Sequence, residues 1–341
     1  MRRFLYTGIL VALVGLPLTA QTAPTPTYQY SRLFYYTDTP AHKKDFFEHA
    51  AYVDVFAPQS YVIFGDGSVG GSLSEDLIAF AHANKISIMP LVTNGAFNAS
   101  TTVSILSDPL KRRTAIATLI EEAQRCGYVG WQLDFEQIPV AYKDDYSAFV
   151  DEAATELHRM GLLLSVAVVS KVSDVPTDYK GKLWVNLIGA YDYDALAASA
   201  DFISVMSYDD PESTGPVVEF PWLVRVLNYS LLHIPAAKLS LGVPLYYWKW
   251  NDFTGKLVGI GGYTELSKLL TKYPKAPYYY DPTYKAPSIY YKEKGIPYTV
   301  WYENARSVAD KIALVKHYKL QGISLWALGL ENPSVYQSLK R

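Results

Sequence analysis

Y-V-G-W-Q-L-D-F-E-Q-I-P, residues Tyr128 to Pro139, is an apolar run into which Gln132, Asp134 and Glu136 are set two residues apart. In a β-strand, alternate side chains point to the same face. These three polar groups therefore share one face, and Trp131, Leu133 and Phe135 the other. At a rise of about 3.3 Å per residue, Asp134 and Glu136 lie roughly 7 Å apart along the strand. Burying two carboxylates side by side is costly unless they are paired or used. A strand ending in such a pair has the look of an active-site floor. The alternative is a structural one, in which both acids bond to nearby loops, since structural networks also perturb carboxylates.

Other apolar β-type runs flank this one: Leu33–Tyr36, Val53–Ala57, Ile86–Leu91, Leu162–Val169, Phe202–Met206, Leu239–Pro244 and Gly322–Trp326. With Val129–Phe135 they make eight. Between them lie helical patterns at 74–84, 111–126, 144–160, 221–232 and 305–319. Ala115, Ile116, Leu119, Ile120 and Ala123 follow the helical period. Pro221 suits a helix start and Asn304 a cap. Eight strands alternating with helices predict a (β/α)₈ TIM barrel, an α/β fold, with a doubly wound open sheet as the competing architecture. Gly65, Gly67, Gly70 and Gly71 lack the order of a nucleotide-binding fingerprint and read as turns.

One segment breaks the rhythm. About 247–302, between the seventh and eighth strands, the chain is rich in Tyr, Pro and Gly and poor in helix signals. Its second half, Ser288 to Tyr302, reads as a β-hairpin turning at Lys294-Gly295. An insertion at that point is expected to stand over one end of the barrel and shape a cleft.

The chain has 341 residues, of which 50% are hydrophobic and 19% charged, as in a globular protein with a substantial core. A formal net charge of -2 gives no electrostatic footprint for nucleic acid or an anionic membrane. The 29 Tyr and 7 Trp offer flat apolar faces with polar handles, suited to sugar rings and to core packing alike. Met1 to Ala20 has Arg2 and Arg3, an apolar run and then small residues, the layout of a secretory signal peptide cleaved after Ala20 or Ala23. An uncleaved anchor is the alternative. A Pro/Thr spacer follows over 21–29, and a single catalytic domain is expected over 30–341. Cys126 is the lone cysteine, so an internal disulfide is excluded. The six histidines form no ligand spacing, and neither a metal nor a cofactor is expected.

In a barrel, the C-terminal ends of the strands meet at one face, where chemistry resides. Asp134 and Glu136 close the fourth strand. Met206, Tyr208 and Asp209 (V-M-S-Y-D-D) close the sixth, Tyr246 (L-G-V-P-L-Y) the seventh and Trp326 (G-I-S-L-W-A-L-G) the eighth. Met206 and Trp326 taken singly would be core residues; their joint position on one rim is the stronger signal.

These stretches carry a resemblance to a known family. G-W-Q-L-D-F-E resembles the D-x-x-D-x-D-x-E signature of glycoside hydrolase family 18, the chitinase-like enzymes, and V-M-S-Y-D-D resembles its M-x-Y-D strand end. P-L-V-T-N (Pro90–Asn94), L-D-F-E-Q-I-P and V-W-Y-E-N-A-R-S (Val300–Ser307) are similar to the branch of spore-germination, cortex-lytic and chitinase-domain-like proteins. The resemblance runs from about Tyr30 to the C-terminus; no LysM-like repeat accompanies it. It implies Glu136 as general acid and Asp134 as the partner of the substrate's acetamido group. Tyr208 and Asp209 would hold that group and its sugar. Trp326 would be the floor, Met206 and Tyr246 the walls, and Tyr35 an aromatic at the first strand end.

The chain departs from the signature at two positions, with Val129 at its first Asp and Gln132 at its second. Gln132 is expected to donate a hydrogen bond to Asp134 and keep it ionised. The implied activity is a secreted or periplasmic retaining hydrolase of β-linked N-acetylglucosamine glycans, peptidoglycan or chitin in type, acting as a monomer, with no nucleic-acid partner and no membrane after signal cleavage. Two other readings stay open: a catalytically silent, lectin-like sugar-binding protein, and a two-carboxylate glycosidase with Asp209 as nucleophile.

Overall fold

Parallel strands buried on both faces need apolar residues on both, and the strand runs of this chain have them. In the computed structural model, which describes residues 29–340, they close into a barrel. Its strands are Ser31–Tyr36, Val55–Ile63, Leu91–Thr93, Gly130–Asp134, Leu163–Val169, Phe202–Met206, Leu239–Pro244 and Gly322–Trp326. Each is parallel to its neighbours, and the first pairs with both the second (Leu33 beside Val55) and the last (Ser31 beside Gly322). The open sheet is thereby ruled out. The expected third strand is split into Ser87–Ile88 and Leu91–Thr93. Pro90 stands at the break, where a residue without an N–H cannot continue a ladder. The expected N-terminal signal and most of the spacer lie outside the described residues. Among the described residues no helix is long and apolar enough to cross a membrane.

The alternation read from the fourth strand decides which groups face where. Trp131, Leu133 and Phe135 join the outer core, between strands and helices. Trp131 donates its indole N–H to the Leu119 carbonyl at 2.9 Å and meets Tyr61 edge-on at 4.8 Å. Gln132 points inward, into a layer of serines. Its amide donates to Ser165 at 2.8 Å and Ser204 at 3.1 Å, and Ser324 bridges Ser204 at 2.9 Å and Ser240 at 2.6 Å. Small hydroxyls let four strand backbones converge and satisfy one another where water is absent.

The helix Pro109–Cys126 shows why local signals worked on the outside. Asp108 caps it by accepting from the Leu110 N–H at 2.9 Å, Pro109 occupies its first turn, and Gly127 closes it at φ 68. It starts two residues ahead of the expected Lys111 because the Asp-Pro pair opens it. Asn304 caps Ala305–Tyr318 as read. Shorter helices at Pro40–His49, Ala99–Leu106 and Tyr193–Ser199 were not anticipated.

The insertion is an antiparallel sheet of five strands, in the order Lys256–Gly261, Tyr247–Asn251, Ile296–Trp301, Ala286–Glu293, Tyr278–Asp281. The hairpin turns at Lys294 (φ 51) and Gly295 (φ 84), as the dipeptide requires. The segment also holds a helix, Tyr263–Lys272, whose Leu266 is buried with Tyr247, Ile289, Tyr291 and Val300. The insertion is thus α+β, as the fold class expected, although the helix itself was not located in the sequence.

Candidate active site

The fourth strand stops at Asp134, and the chain turns outward through Glu136 and Gln137, the latter at φ 52. That turn is held from two sides. Asn94, fully buried after the third strand, donates its amide to the Glu136 carbonyl at 2.7 Å and accepts from the Glu136 N–H at 3.0 Å. Tyr191 donates to the Phe135 carbonyl at 2.6 Å. The backbone carrying Glu136 is therefore fixed before any ligand arrives, the preorganisation a positioned acid needs.

Asp134 and Glu136 open onto a cleft of about 1060 Å³ at the C-terminal rim of the barrel. Met206, Tyr208, Asp209, Tyr246 and Trp326 line the same cleft. Tyr246 donates to Asp209 Oδ1 at 2.5 Å. Asp209 sits in the left-handed region at φ 57, which turns its side chain into the cleft instead of along the strand. Gly242 makes room for Tyr208: a Cβ there would lie 3.0 Å from the Tyr208 ring and 2.4 Å from the Val205 carbonyl.

Two expected residues do not reach the cleft surface. Gln132 is buried in the serine layer. Tyr35 is buried, with its ring 5.1 Å from that of Trp326, which lines the cleft. Gln132 is also not bonded to Asp134. Its Nε2 is occupied by the two serines, and both Gln132 Oε1 and Asp134 Oδ1 are buried without a hydrogen-bond partner. The expectation that Gln132 holds Asp134 ionised is corrected on this point. Burial, and then the Glu136 charge, push the Asp134 carboxyl up to about 8. Burial and then Asp209 raise Glu136 as well. Asp209 is raised by burial, partly offset by the Tyr246 hydroxyl.

Part of the cleft lining comes from the segment after the fifth strand, which the sequence reading passed over, and part from a helix read in the sequence but not assigned to the site. Ser170, Val172, Tyr179, Leu183 and Ile188, after the fifth strand, form one side with Trp222 and Tyr229 of the helix Phe220–His233. Gln59, on the second strand, and Phe97, after the third, also line the cleft. Phe97 ends a run of three left-handed residues, Gly95 (φ 46), Ala96 (φ 52) and Phe97 (φ 53). The insertion supplies no lining residue beyond Tyr246 at its root. It acts at one remove: Trp250 donates to the Gly215 carbonyl at 2.6 Å, bracing the loop that carries Pro211 and Glu212 into the cleft.

The profile of glycosyl hydrolases family 18 matches residues 28–331, which takes in the whole barrel and the insertion. The chain belongs to glycoside hydrolase family 18. The uncharacterised glycosylase YvbX of Bacillus subtilis is 25% identical over 315 residues, covering 90% of each chain. The solved chitinase of Chromobacterium violaceum superposes with a TM-score of 0.80 at 29% identity, over 91% of this chain and 98% of that one. The spore cortex-lytic enzyme SleL of Bacillus megaterium gives 0.81 at 28% identity, over 93% of this chain and 75% of that one. This family 18 glycosidase thus combines a barrel shared along nearly its full length with a carboxyl-rich cleft at the expected rim. Asn94 and Tyr191 were missed as site residues. Asn94 lay in plain view within P-L-V-T-N, but its reach to Glu136 needs the third and fourth strands to be neighbours.

Proposed function

We propose that this glycosidase hydrolyses β-linked N-acetylglucosamine glycans of the peptidoglycan or chitin type with retention, using the substrate's own acetamido group as nucleophile. The observation that carries the proposal is the pair of raised, cleft-facing carboxyls Asp134 and Glu136 on a backbone clamped by Asn94. At neutral pH the pair holds a proton. When the acetamido N–H is presented to Asp134, the ionised form of Asp134 is favoured, and the proton resides on Glu136.

The acetamido oxygen then attacks the anomeric carbon and the bond to the leaving sugar breaks. The leaving oxygen takes the Glu136 proton. The positive charge that develops on the oxazolinium ring lies against the Asp134 carboxylate. Water, deprotonated by Glu136, opens the ring at the anomeric carbon and restores the acid. Tyr208 and Asp209 hold the acetamido group and its sugar, Trp326 is the floor, and Met206 and Tyr246 are the walls. Tyr35 and Gln132 support that floor from below. Family 18 is an exception to the rule of two catalytic carboxylates, one of them a nucleophile.

The names of the structural relatives, a chitinase and a spore cortex-lytic enzyme, support a glycan of this class. Residues 1–20 are proposed to direct export, which places the substrate outside the cytoplasm. The test is product analysis by mass after incubation with chitooligosaccharides and with purified wall glycan. Products ending in reducing N-acetylglucosamine, with inhibition by a thiazoline mimic of the oxazolinium, are expected. Turnover of glucosides lacking the acetamido group, with indifference to the thiazoline, would overturn the mechanism.

A further inference from the structure

A second set of acidic groups lies away from the cleft, where the first helix meets the end of the chain. Asp45 and His49 are one turn apart on Pro40–His49 and so share a face. Glu331 follows the last barrel strand, and Tyr336 lies on the short helix Val335–Ser338. One ligand-capable atom from each of Asp45, His49 and Glu331 lies within 4.8 Å of the others, and this is the one such triad among the described residues.

The hydrogen-bond inventory of this cluster does not close. The Tyr336 hydroxyl is 2.9 Å from Asp45 Oδ2 and also contacts Glu331 Oε1, yet it has one proton to give. His49 Nδ1 stands 3.0 Å from Asp45 Oδ1. Glu331, 5% exposed, keeps its Oε2 buried with no partner. The neighbouring lysines are engaged elsewhere, Lys43 with Asp76 and Lys44 with Glu48. Two carboxyl groups thus face each other with a hydroxyl and an imidazole, and one buried carboxyl oxygen is left without a partner.

We propose that Asp45, His49 and Glu331 bind a divalent cation of the zinc type, which joins the first helix to the chain beyond the last strand. Two carboxylate oxygens and one imidazole nitrogen make a mixed donor set suited to zinc; calcium and magnesium favour oxygen alone. The Tyr336 ring fixes the imidazole by stacking at 3.8 Å and 8°. The side chains of Asp45 and His49 remain 22% and 26% exposed, which leaves a path for the ion from solvent. The Tyr336 hydroxyl then serves whichever carboxylate oxygens the ion leaves free.

The experiment uses full-length protein without a histidine tag, stripped with chelator and titrated with Zn²⁺ by calorimetry and by thermal melting. Binding of one ion per chain with a rise in Tm is expected. His49→Gln and Glu331→Gln, each checked for native circular dichroism, are expected to weaken zinc at least tenfold. Glu331→Gln keeps the side chain's shape and removes a buried charge, so its apoprotein should stay folded. Absence of stoichiometric zinc would overturn the proposal and leave a shared proton between the two acids. Zinc bound with undiminished affinity by both variants would overturn it equally, since the ion would then sit elsewhere.

Discussion

The barrel and its insertion treat polar and aromatic side chains in opposite ways. In the barrel, Gln132, Asp134 and a ring of serines are buried among apolar strands. In the insertion, Tyr278 and Tyr279 stand more than half exposed and Phe253 is 85% exposed, although the segment is rich in the residues that bind sugars. The barrel contributes the carboxyls of the cleft; the insertion reaches the cleft only through Tyr246 and the brace at Gly215. Polar groups held in a core at a cost in desolvation mark the site better than aromatic abundance does.

The largest expected effect tests the barrel side of this contrast. Glu136→Gln removes the proposed proton donor but keeps its shape. Turnover should fall by roughly 10²–10⁴-fold or more, with oligosaccharide affinity retained by calorimetry. Near-wild-type turnover would remove Glu136 from the reaction. Asp134→Asn should cost about 10²-fold in kcat, the scale of losing one preorganised electrostatic partner.

The pH profile follows from the same acid. The acid must be protonated to work, and burial raises Glu136 above the usual carboxyl range, so activity should be lost as pH rises through that raised range. Glu136 is raised by burial and by the Asp209 charge, so in Asp209→Asn that like charge is gone, and the alkaline limb of the residual activity should move to lower pH. A limb that stays in place would mean that the two carboxyls are not coupled.

Asn94→Ala breaks the clamp without touching substrate. A fall of about tenfold in kcat with KM little changed is expected, because a small displacement of the acid is felt in the transition state. An equal loss in a variant altered only at the cleft wall would make that result uninformative, so Asn94→Asp, which keeps the acceptor for the Glu136 N–H, should recover part of the rate.

The smallest effect belongs to the insertion. Gly295 lies at φ 84 with open space around it, so Gly295→Ala meets backbone strain alone. It should destabilise by about 1 kcal/mol and leave kcat unchanged. A large loss of turnover would show the insertion to be part of the catalytic apparatus, and the contrast drawn above would fail.

Much of this was legible because the signals are local. Strands buried on both faces read as continuous apolar runs, and Leu239–Pro244 and Phe202–Met206 begin and end where the sequence places them. Pro221 and Asn304 mark helix starts by the chemistry of the first turn and the cap itself. The helix Tyr263–Lys272 was overlooked although its signals are local: Glu265, Leu266, Lys268, Leu269, Leu270 and Lys272 are good helix formers, and Glu265 caps the start by accepting from the Gly262 N–H at 3.2 Å.

The sequence by itself determined the alternation of strands and helices, the inward face of Gln132, Asp134 and Glu136, and the rim on which the polar strand ends gather. Periods of two and 3.6 and the chemistry of caps are properties of a chain segment alone. Only the tertiary structure decided that Gln132 bonds to serines and not to Asp134, that Asn94 holds Glu136, that the loop after the fifth strand walls the cleft, and that Glu331 meets Asp45 and His49. Those contacts join residues tens to hundreds of positions apart, and their geometry exists only once the barrel has closed.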